Sequence, residues 1–175
     1  MVLPIVLYPD PRLKHKSKPV TAFTPELKIL AVNMTETMRD ANGVGLAAIQ
    51  IGEGIRMMVM DERYDAEEKG ESTSLINPVV LEEDGSDLSE EGCLSIPDVR
   101  EDVERALKVK VTFLDLEGKE QTRDYEGLLA RCVLHEIDHM NGQLFIQRIP
   151  AVKRLFHQKQ LHQLKKNYEK APIRL

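Results

Sequence analysis

The spacing of hydrophobic residues predicts two helices. In residues 27–41, apolar side chains recur every three or four positions, and they are preceded by Thr24, a capping residue, and Pro25, a first-turn residue. The same spacing runs from Leu128 to Met140. Each segment is followed by an Asn-Gly pair, which is typical of a helix end.

Shorter apolar segments predict strands. Ile55–Met60 and Leu75–Leu81 are short apolar runs, and Asn77-Pro78 places the second run at a sheet edge or a strand start. Lys108–Leu116 alternates apolar and polar residues, and a turn at residues 117–119 leads to Glu120–Tyr125. This pattern predicts a hairpin. Residues 61–74 and 82–90 are polar and acidic and predict loops, whereas residues 1–22, with four prolines, predict extended chain or turns.

Composition places the chain among ordinary globular proteins. Its 175 residues are 42% hydrophobic and 30% charged, which fits one domain spanning residues 1–175. The N-terminal apolar run, Val2–Leu7, is too short for a membrane span or an export signal, so we expect a cytoplasmic protein without a membrane partner. Its two cysteines are then expected to be thiols.

The C-terminal segment carries a charge opposite to that of the remaining chain. Residues 151–175 hold seven basic residues and one acidic residue, whereas the other 150 residues hold 17 basic and 28 acidic residues. A basic helix is predicted at about residues 152–170, with Val152, Leu155, Phe156, Leu161 and Leu164 roughly on one face. Two interpretations stay open: the solvated side of a packing helix, or a surface that contacts the phosphate backbone of structured RNA.

The predicted helix at 128–140 contains an H-E-x-x-H pattern. His135 and His139 lie four residues apart, so their rings point to the same side and can bind one divalent metal. Glu136 can reach a water on that metal without being a ligand. The pattern fixes only three positions, so a chance match on a helix face is the alternative.

A third metal ligand must come from elsewhere, because open catalytic sites usually have three protein ligands. His157 and His162 in the basic tail are candidates, and so is Cys93 in the segment Glu91-Gly92-Cys93. A lone cysteine is usually a small buried hydrophobic residue, so Cys93 alone is a weak signal.

Residues 43–50, GVGLAAIQ, allow two interpretations. They match a dinucleotide-binding pattern superficially, but a predicted helix precedes them where that fold requires a strand. The other interpretation is a strand whose glycines let a substrate approach the backbone, with Gln50 as a side-chain donor.

Together, three segments make the chain resemble the peptide deformylases, enzymes of bacteria and organelles. The motifs G-x-G-Φ-A-A-x-Q, E-G-C-x-S and H-E-x-D-H of that family match GVGLAAIQ (43–50), EGCLS (91–95) and HEIDH (135–139). YPDPRL (8–13) and LINP (75–78) are also similar, so the resemblance covers about residues 3–165.

The resemblance implies a metal-dependent hydrolase that removes the N-formyl group from N-formylmethionyl nascent peptides. It implies Fe(II) as the native metal, with zinc, nickel or cobalt able to replace it, and the expected ligands are Cys93, His135 and His139. Glu136 is the implied general acid and base, and Gln50 and the backbone N–H of Leu94 are implied donors to the oxyanion. The basic tail then has a rationale as a contact with ribosomal RNA.

The expected fold is α+β, with antiparallel strands packed around a central metal-binding helix and with a C-terminal helix. The backbone at Val44 and Gly45 is expected to pair with the substrate main chain. An apolar pocket for the methionine side chain is expected from Val44, Leu128 and Cys132, although plain core packing explains each of them equally well.

Three arginine and leucine positions complete these expectations. Arg100 is expected to face the substrate backbone. Arg131 stands where an apolar residue is common in the family, and we expect its stem to line the pocket rim while its head reaches solvent or substrate. Leu134 stands where many members have Gln, so any hydrogen bond of that Gln is absent.

Two other functions compete with deformylation. A metallopeptidase would cleave internal peptide bonds and would tolerate loss of Cys93 if His157 or His162 were the third ligand. A metal-binding or RNA-binding module without catalysis would keep its function in Glu136→Ala.

Overall fold

A five-stranded antiparallel sheet forms the centre of the fold, in the order β1-β2-β3-β6-β7, and β4 and β5 form a second, two-stranded sheet. The computed structural model describes residues 1–64 and 72–170. The strands are β1 (Gly45–Ala47), β2 (Met57–Met60), β3 (Thr73–Asp84), β4 (Asp87–Cys93), β5 (Ile96–Arg105), β6 (Lys108–Leu114) and β7 (Glu120–Glu126). The helices are α1 (Pro25–Asp40), α2 (Leu128–Met140), α3 (Ala151–Phe156) and α4 (Gln158–Lys170). This architecture confirms the expected α+β class.

Alternation along β2 explains how the helices cover the sheet. Met57 and Val59 pack in the core that includes α1, whereas Met58 and Met60 pack in the core that includes α2. Successive side chains of a strand point to opposite faces, so the two helices lie on opposite sides of the sheet. A third core joins β5 to residues 144–149. The helix that carries H-E-x-x-H is therefore packed on its apolar face against the five-stranded sheet.

Strand β3 differs from the prediction of an edge strand. It pairs with β2 on one side and β6 on the other, and its ladder shifts register between Ile76 and Val79. Asn77 has a left-handed backbone (φ 51°) in this bulge, and its side chain accepts from Val20 N at 2.9 Å and donates to Val20 O at 2.8 Å. The bulge takes Pro78, which has no N–H, out of the ladder, so a central strand accommodates the proline.

The acidic segment 82–90 was wrongly predicted to be a loop. Its first residues complete β3, and its last residues form β4, which pairs with β5 from Asp87↔Arg105 to Cys93↔Ile96. Charged side chains on exposed strand faces obscured the alternation. β3 also begins earlier than predicted, at Thr73. The rest of the predicted 61–74 loop lies partly outside the described residues.

The basic tail forms two helices rather than one. α3 ends at Phe156 and α4 begins at Gln158. Leu161 and Leu164 pack against the core that includes β5. The predicted apolar face is not continuous, because three of its five residues are exposed on α3: Val152, Leu155 and Phe156. In the described part of the chain, no helix has the length and apolar character needed to cross a membrane.

Glu101 on β5 anchors the tail. Its carboxylate accepts from Lys153 Nζ at 2.8 Å and lies 3.1 Å from His157 Nε2. The Lys153 ammonium, the Asp102 backbone N–H and the His157 ring lower the pKa of Glu101 to about 2. The lowered pKa means that the folded protein stabilises the ionised form of Glu101. This contribution to folding stability is complete above pH 4.5 and is lost as the pH falls toward 2.

Glu101→Gln is therefore expected to lower the urea midpoint of unfolding at neutral pH. The difference from the parent is expected to shrink between pH 4.5 and 2, where Glu101 itself becomes protonated. Urea titrations of both proteins at several pH values measure this difference. A difference that stays constant down to pH 2 would show that the charge of Glu101 does not act on the tail.

Candidate metal centre

Helix α2 places two imidazole rings side by side. His135 and His139 are one helical turn apart, both are buried, and their ring centroids lie 4.9 Å apart. The helix has the predicted bounds, Leu128–Met140. It follows Gly127, whose positive φ of 60° turns the chain from β7 into the helix. The i, i+4 geometry expected from the sequence is confirmed.

Cys93 lies beside these rings at the end of β4. Its Sγ is 3.2 Å from His139 Nε2, and the ligand atoms of Cys93, His135 and His139 all lie within 4.8 Å of one another. His157, one of the two alternative third ligands in the tail, is instead engaged with Glu101. Within the described residues, Cys93, His135 and His139 form the one group of donors that fits a metal ion.

The arrangement of the donors fits a divalent transition metal. His135 Nδ1 is 2.9 Å from Glu91 Oε2, which leaves Nε2 of that ring for a metal. Burial lowers the pKa of His139 well below its ordinary value, so this ring is neutral and has a free lone pair. One sulfur and two nitrogens are a common donor set for zinc and other first-row metals.

Glu136 lies next to this donor group and is fully buried. Among the described residues, its Oε2 is one of four buried side-chain polar atoms without a hydrogen-bond partner. Burial raises the pKa of Glu136 to about 7. A carboxyl group with that pKa can both accept and return a proton near neutral pH.

Gln50 lies between the metal donors and β1. Its Oε1 accepts from Ala47 N at 2.8 Å, and its Nε2 lies 3.2 Å from Ser95 Oγ and 3.8 Å from Cys93 Sγ. The carboxamide is therefore fixed with its N–H₂ directed toward the thiol. Leu94, whose backbone N–H was the other expected donor, lies in the turn between β4 and β5 and lines the same pocket.

Strand β1 has an open edge on the pocket side. Asp61 N donates to Val44 O at 2.9 Å, and Gly45 is paired opposite Met60. Residues of an antiparallel strand alternate between bonding to the partner strand and pointing away from it. Val44 bonds to Asp61, so the N–H and C=O of Gly45, the next residue, point away from β2 toward the open edge. A methyl group at Gly45 would collide with Cys132 Sγ and come within 3.0 Å of Glu136 Oε1. Only glycine fits this position.

The pocket around these groups has a volume of about 580 Å³. All the residues predicted to contact substrate lie along it: Val44, Gly45, Arg100, Leu128, Arg131 and Cys132. Leu128 is 43% exposed and Cys132 is buried, so they form the outer and the inner wall. The Arg100 side chain is exposed, and its Nη1 is 3.4 Å from Glu90 Oε1.

The prediction for the head of Arg131 was wrong. Its guanidinium is buried, donating to Glu91 Oε1 at 2.9 Å, Val103 O at 2.7 Å and Asp87 Oδ2 at 2.9 Å. A guanidinium with these partners does not reach solvent, and moving it would leave Glu91 short of a partner. The aliphatic stem of Arg131 therefore lines the pocket, while its guanidinium group binds buried acceptors.

Comparison with known proteins places the chain in a family. The family profile described as polypeptide deformylase matches residues 2–155. The peptide deformylase of Brucella suis is 47% identical over 154 residues, covering 87% of each chain. That of Mesorhizobium japonicum is 46% identical over 175 residues, covering 99% of this chain and 98% of its own.

The chain belongs to the peptide deformylase family. Members are metal-dependent hydrolases that remove the N-formyl group from nascent peptides. The crystal structure of a peptide deformylase from Legionella pneumophila superposes with a TM-score of 0.88 at 41% identity, covering 98% of this chain and all of its own. The Thermus thermophilus enzyme superposes equally well, at 40% identity over 95% of this chain and 99% of its own.

A buried ionic network in this peptide deformylase fold was not predicted. Glu91 binds His135 and two guanidinium groups, with its Oε1 2.6 Å from Arg105 Nε. Arg105 Nη1 also donates to Asp138 Oδ2 at 2.7 Å, and Arg148 Nε donates to the same oxygen at 2.5 Å. Burial opposes ionisation of Glu91, but Arg105 and His135 outweigh it and lower the pKa of Glu91 to about 2.

The only sequence signal for this network was that two of its residues lie inside the family motifs. Glu91 precedes Cys93 within the EGC motif, and Asp138 lies inside HEIDH. Nothing local marks Arg105 or Arg148, because they reach the motifs only through the fold.

Proposed function

We propose that this chain hydrolyses the formyl amide of N-formylmethionyl peptides in the pocket around Cys93, His135 and His139, releasing formate. Family membership supports the reaction. The observation that supports this site is the convergence of the three buried donors beside the unpaired carboxylate oxygen of Glu136. We also propose that residues 1–175 act as one catalytic domain.

Cys93, His135 and His139 would hold one divalent metal, and Fe(II) is the metal that we propose in the cell. Zinc, nickel or cobalt suit the same donors and could occupy the site in purified protein. When bound, the ion would supply Lewis acidity toward the formyl oxygen and lower the pKa of a coordinated water. Glu91 keeps the His135 ring oriented for this role through Nδ1.

Glu136 would move the proton. Its carboxylate is close enough to His135 and Gly45 to face the scissile amide, and its pKa of about 7 suits both removal and return of a proton. It would take a proton from the attacking water and give one to the departing methionine amine.

Gln50 and the backbone N–H of Leu94 would stabilise negative charge on the formyl oxygen. Gln50 is held from the far side by Ala47 N, so its N–H₂ needs little rearrangement to donate. Preorganised donors of this kind contribute most when they are buried, as Gln50 is.

The substrate main chain would pair with the open edge at Gly45, next to Val44, while the methionine side chain enters the apolar part of the pocket. Leu128 and Cys132 would contact that thioether side chain. Arg100 would lie near the following residues of the peptide. Arg131 would affect preference only through the packing of its stem.

We further propose that the protein works in the cytoplasm, where its substrates leave the ribosome. α4 carries four exposed basic side chains, Lys159, Lys165, Lys166 and Lys170, and ribosomal RNA is the polyanion nearest a nascent chain. Deleting residues 153–175 is then expected to weaken co-sedimentation with ribosomes, and unchanged co-sedimentation would contradict this contact.

The test of the proposed function is formate release from formyl-Met-Ala-Ser after metal removal and return. Chelation is expected to abolish release, and Fe(II) added without oxygen is expected to restore it. Acetyl-Met-Ala-Ser controls for general amide hydrolysis, and an unformylated peptide controls for internal cleavage. If a metal-loaded parent releases no formate, the proposal is wrong.

Cys93→Ala and His157→Ala form a matched pair for the ligand set. Cys93→Ala is expected to lose bound metal, whereas His157→Ala is expected to keep the parent stoichiometry because that ring binds Glu101. Metal content by elemental analysis measures both.

A further inference from the structure

A second groove continues the active-site pocket along the C-terminal helix. It has a volume of about 300 Å³ and is lined by Pro97 and Asp98 of β5 and by Lys159, Gln160, Gln163, Leu164 and Asn167 of α4. Pro97 and Asp98 also line the pocket of the metal centre. The two cavities are therefore neighbours that share these two residues as a wall.

A bulge in β5 forms the junction between the two cavities. Gly92 pairs with Arg100 and Cys93 pairs with Ile96, so residues 97–99 have no partners on β4. Asp98 in this bulge has a left-handed backbone (φ 63°). The bulge displaces Pro97 and Asp98 from the ladder, so they form part of the groove wall instead of continuing the hairpin.

Carboxamides form the α4 wall of this groove. Gln160, Gln163 and Asn167 are spaced i, i+3 and i+7, so they form one row of about 10 Å, which matches about three residues of extended peptide. Gln163 Nε2 donates to Asn167 Oδ1 at 2.8 Å. In the described part of the chain, Gln160 Oε1 is buried and has no hydrogen-bond partner.

The chemistry of the lining favours a peptide main chain. A carboxamide can donate and accept at once, as the N–H and C=O groups of an extended peptide require. Leu164 and Pro97 add apolar contact to the lining. Lys159 and Asp98 give the lining no net formal charge, so the lining itself does not favour a nucleic acid backbone.

We propose that this groove binds the main chain of the substrate downstream of the residues held at the metal centre, through Gln160 and Gln163. The inference rests on the proposed function, because it assigns the groove to the same substrate. Longer formylated peptides are then better substrates than a formylated tripeptide, whatever their downstream side chains.

The test compares formyl-Met-Ala-Ser with formyl-Met-Ala-Ser-Gly-Ala-Ser-Gly-Ala in the metal-loaded enzyme. We expect kcat/KM to be about threefold to tenfold higher for the octapeptide, the range that corresponds to one net hydrogen bond. Gln160→Ala/Gln163→Ala is expected to remove this difference while leaving turnover of the tripeptide unchanged. Gln158→Ala, the same chemistry on the exposed far side of α4, is expected to keep it.

Measured binding affinities distinguish a failure of this inference from a failure of the proposed function. The dissociation constants of both peptides are measured by calorimetry on metal-loaded Glu136→Gln, with and without the Gln160→Ala/Gln163→Ala changes. Tighter octapeptide binding that those changes abolish supports the groove even if no formate is released, an outcome that would refute only the reaction. Equal affinity and equal kcat/KM for both peptides would overturn the inference, as would a length effect that survives in the double variant.

Discussion

Glu136→Gln is expected to lower the rate of formate release by about two to four orders of magnitude, the usual contribution of a positioned acid–base group. The amide keeps the size of the carboxyl group but cannot accept the proton of the attacking water. Burial raises the pKa of Glu136 to about 7, and its Oε2 has no partner among the described residues, so the parent carboxylate is available for proton transfer.

Metal content distinguishes this loss from a damaged site. The ligand atoms belong to Cys93, His135 and His139, so Glu136→Gln is expected to bind metal as the parent does. Glu53→Gln, a change of the same chemistry at an exposed position, is expected to have the parent rate. Parent-like formate release by a fully metallated Glu136→Gln protein would exclude the proposed role of this carboxylate.

Glu91→Ala is expected to have the largest effect on stability. Glu91 is buried and accepts hydrogen bonds from Arg105 and Arg131, so its removal leaves two buried guanidinium groups short of a partner. Breaking a buried pair in this way costs about 3–5 kcal/mol of unfolding free energy. His135 also loses the group that holds its Nδ1, so metal affinity is expected to fall about 10–100-fold.

Glu90→Ala is the matched control for this change. Glu90 precedes Glu91 on β4, is exposed, and lies 3.4 Å from an exposed Arg100, so its loss is expected to change stability by less than about 1 kcal/mol. Urea unfolding gives the free energies, and competition with a chelator gives the metal affinities. Equal stability of the two variants would mean that the network does not support the fold.

Local patterns were sufficient for part of this fold. Helix α2 begins and ends where its apolar spacing and the Asn-Gly pair predict, and β6 and β7 form the predicted hairpin. Both features depend on residues close together in sequence. β3 and β4 were predicted only in part because their bounds depend on pairing with strands that are distant in sequence. In β3, Asn77-Pro78 is tolerated at a central position only through a bulge that Val20 stabilises.

The donors of the metal centre were predictable, but the charges behind them were not. H-E-x-x-H fixes two ligands on one helix, and Cys93 could be chosen over His157 before the structure only through the family resemblance. Glu91, Arg105 and Asp138 meet because the β4–β5 hairpin packs on α2, and no spacing in the sequence encodes that contact. The head of Arg131 was misplaced for the same reason.

The open edge of β1 bears on how many different proteins one such enzyme can process. Nascent chains differ from one another in every residue after the first, but their N–H and C=O groups are the same in all of them. An edge strand recognises those repeating groups and leaves the side chains outside the recognition. In the proposed binding mode, pairing at Gly45 is therefore the same for every nascent chain, whatever side chains follow the formylmethionine.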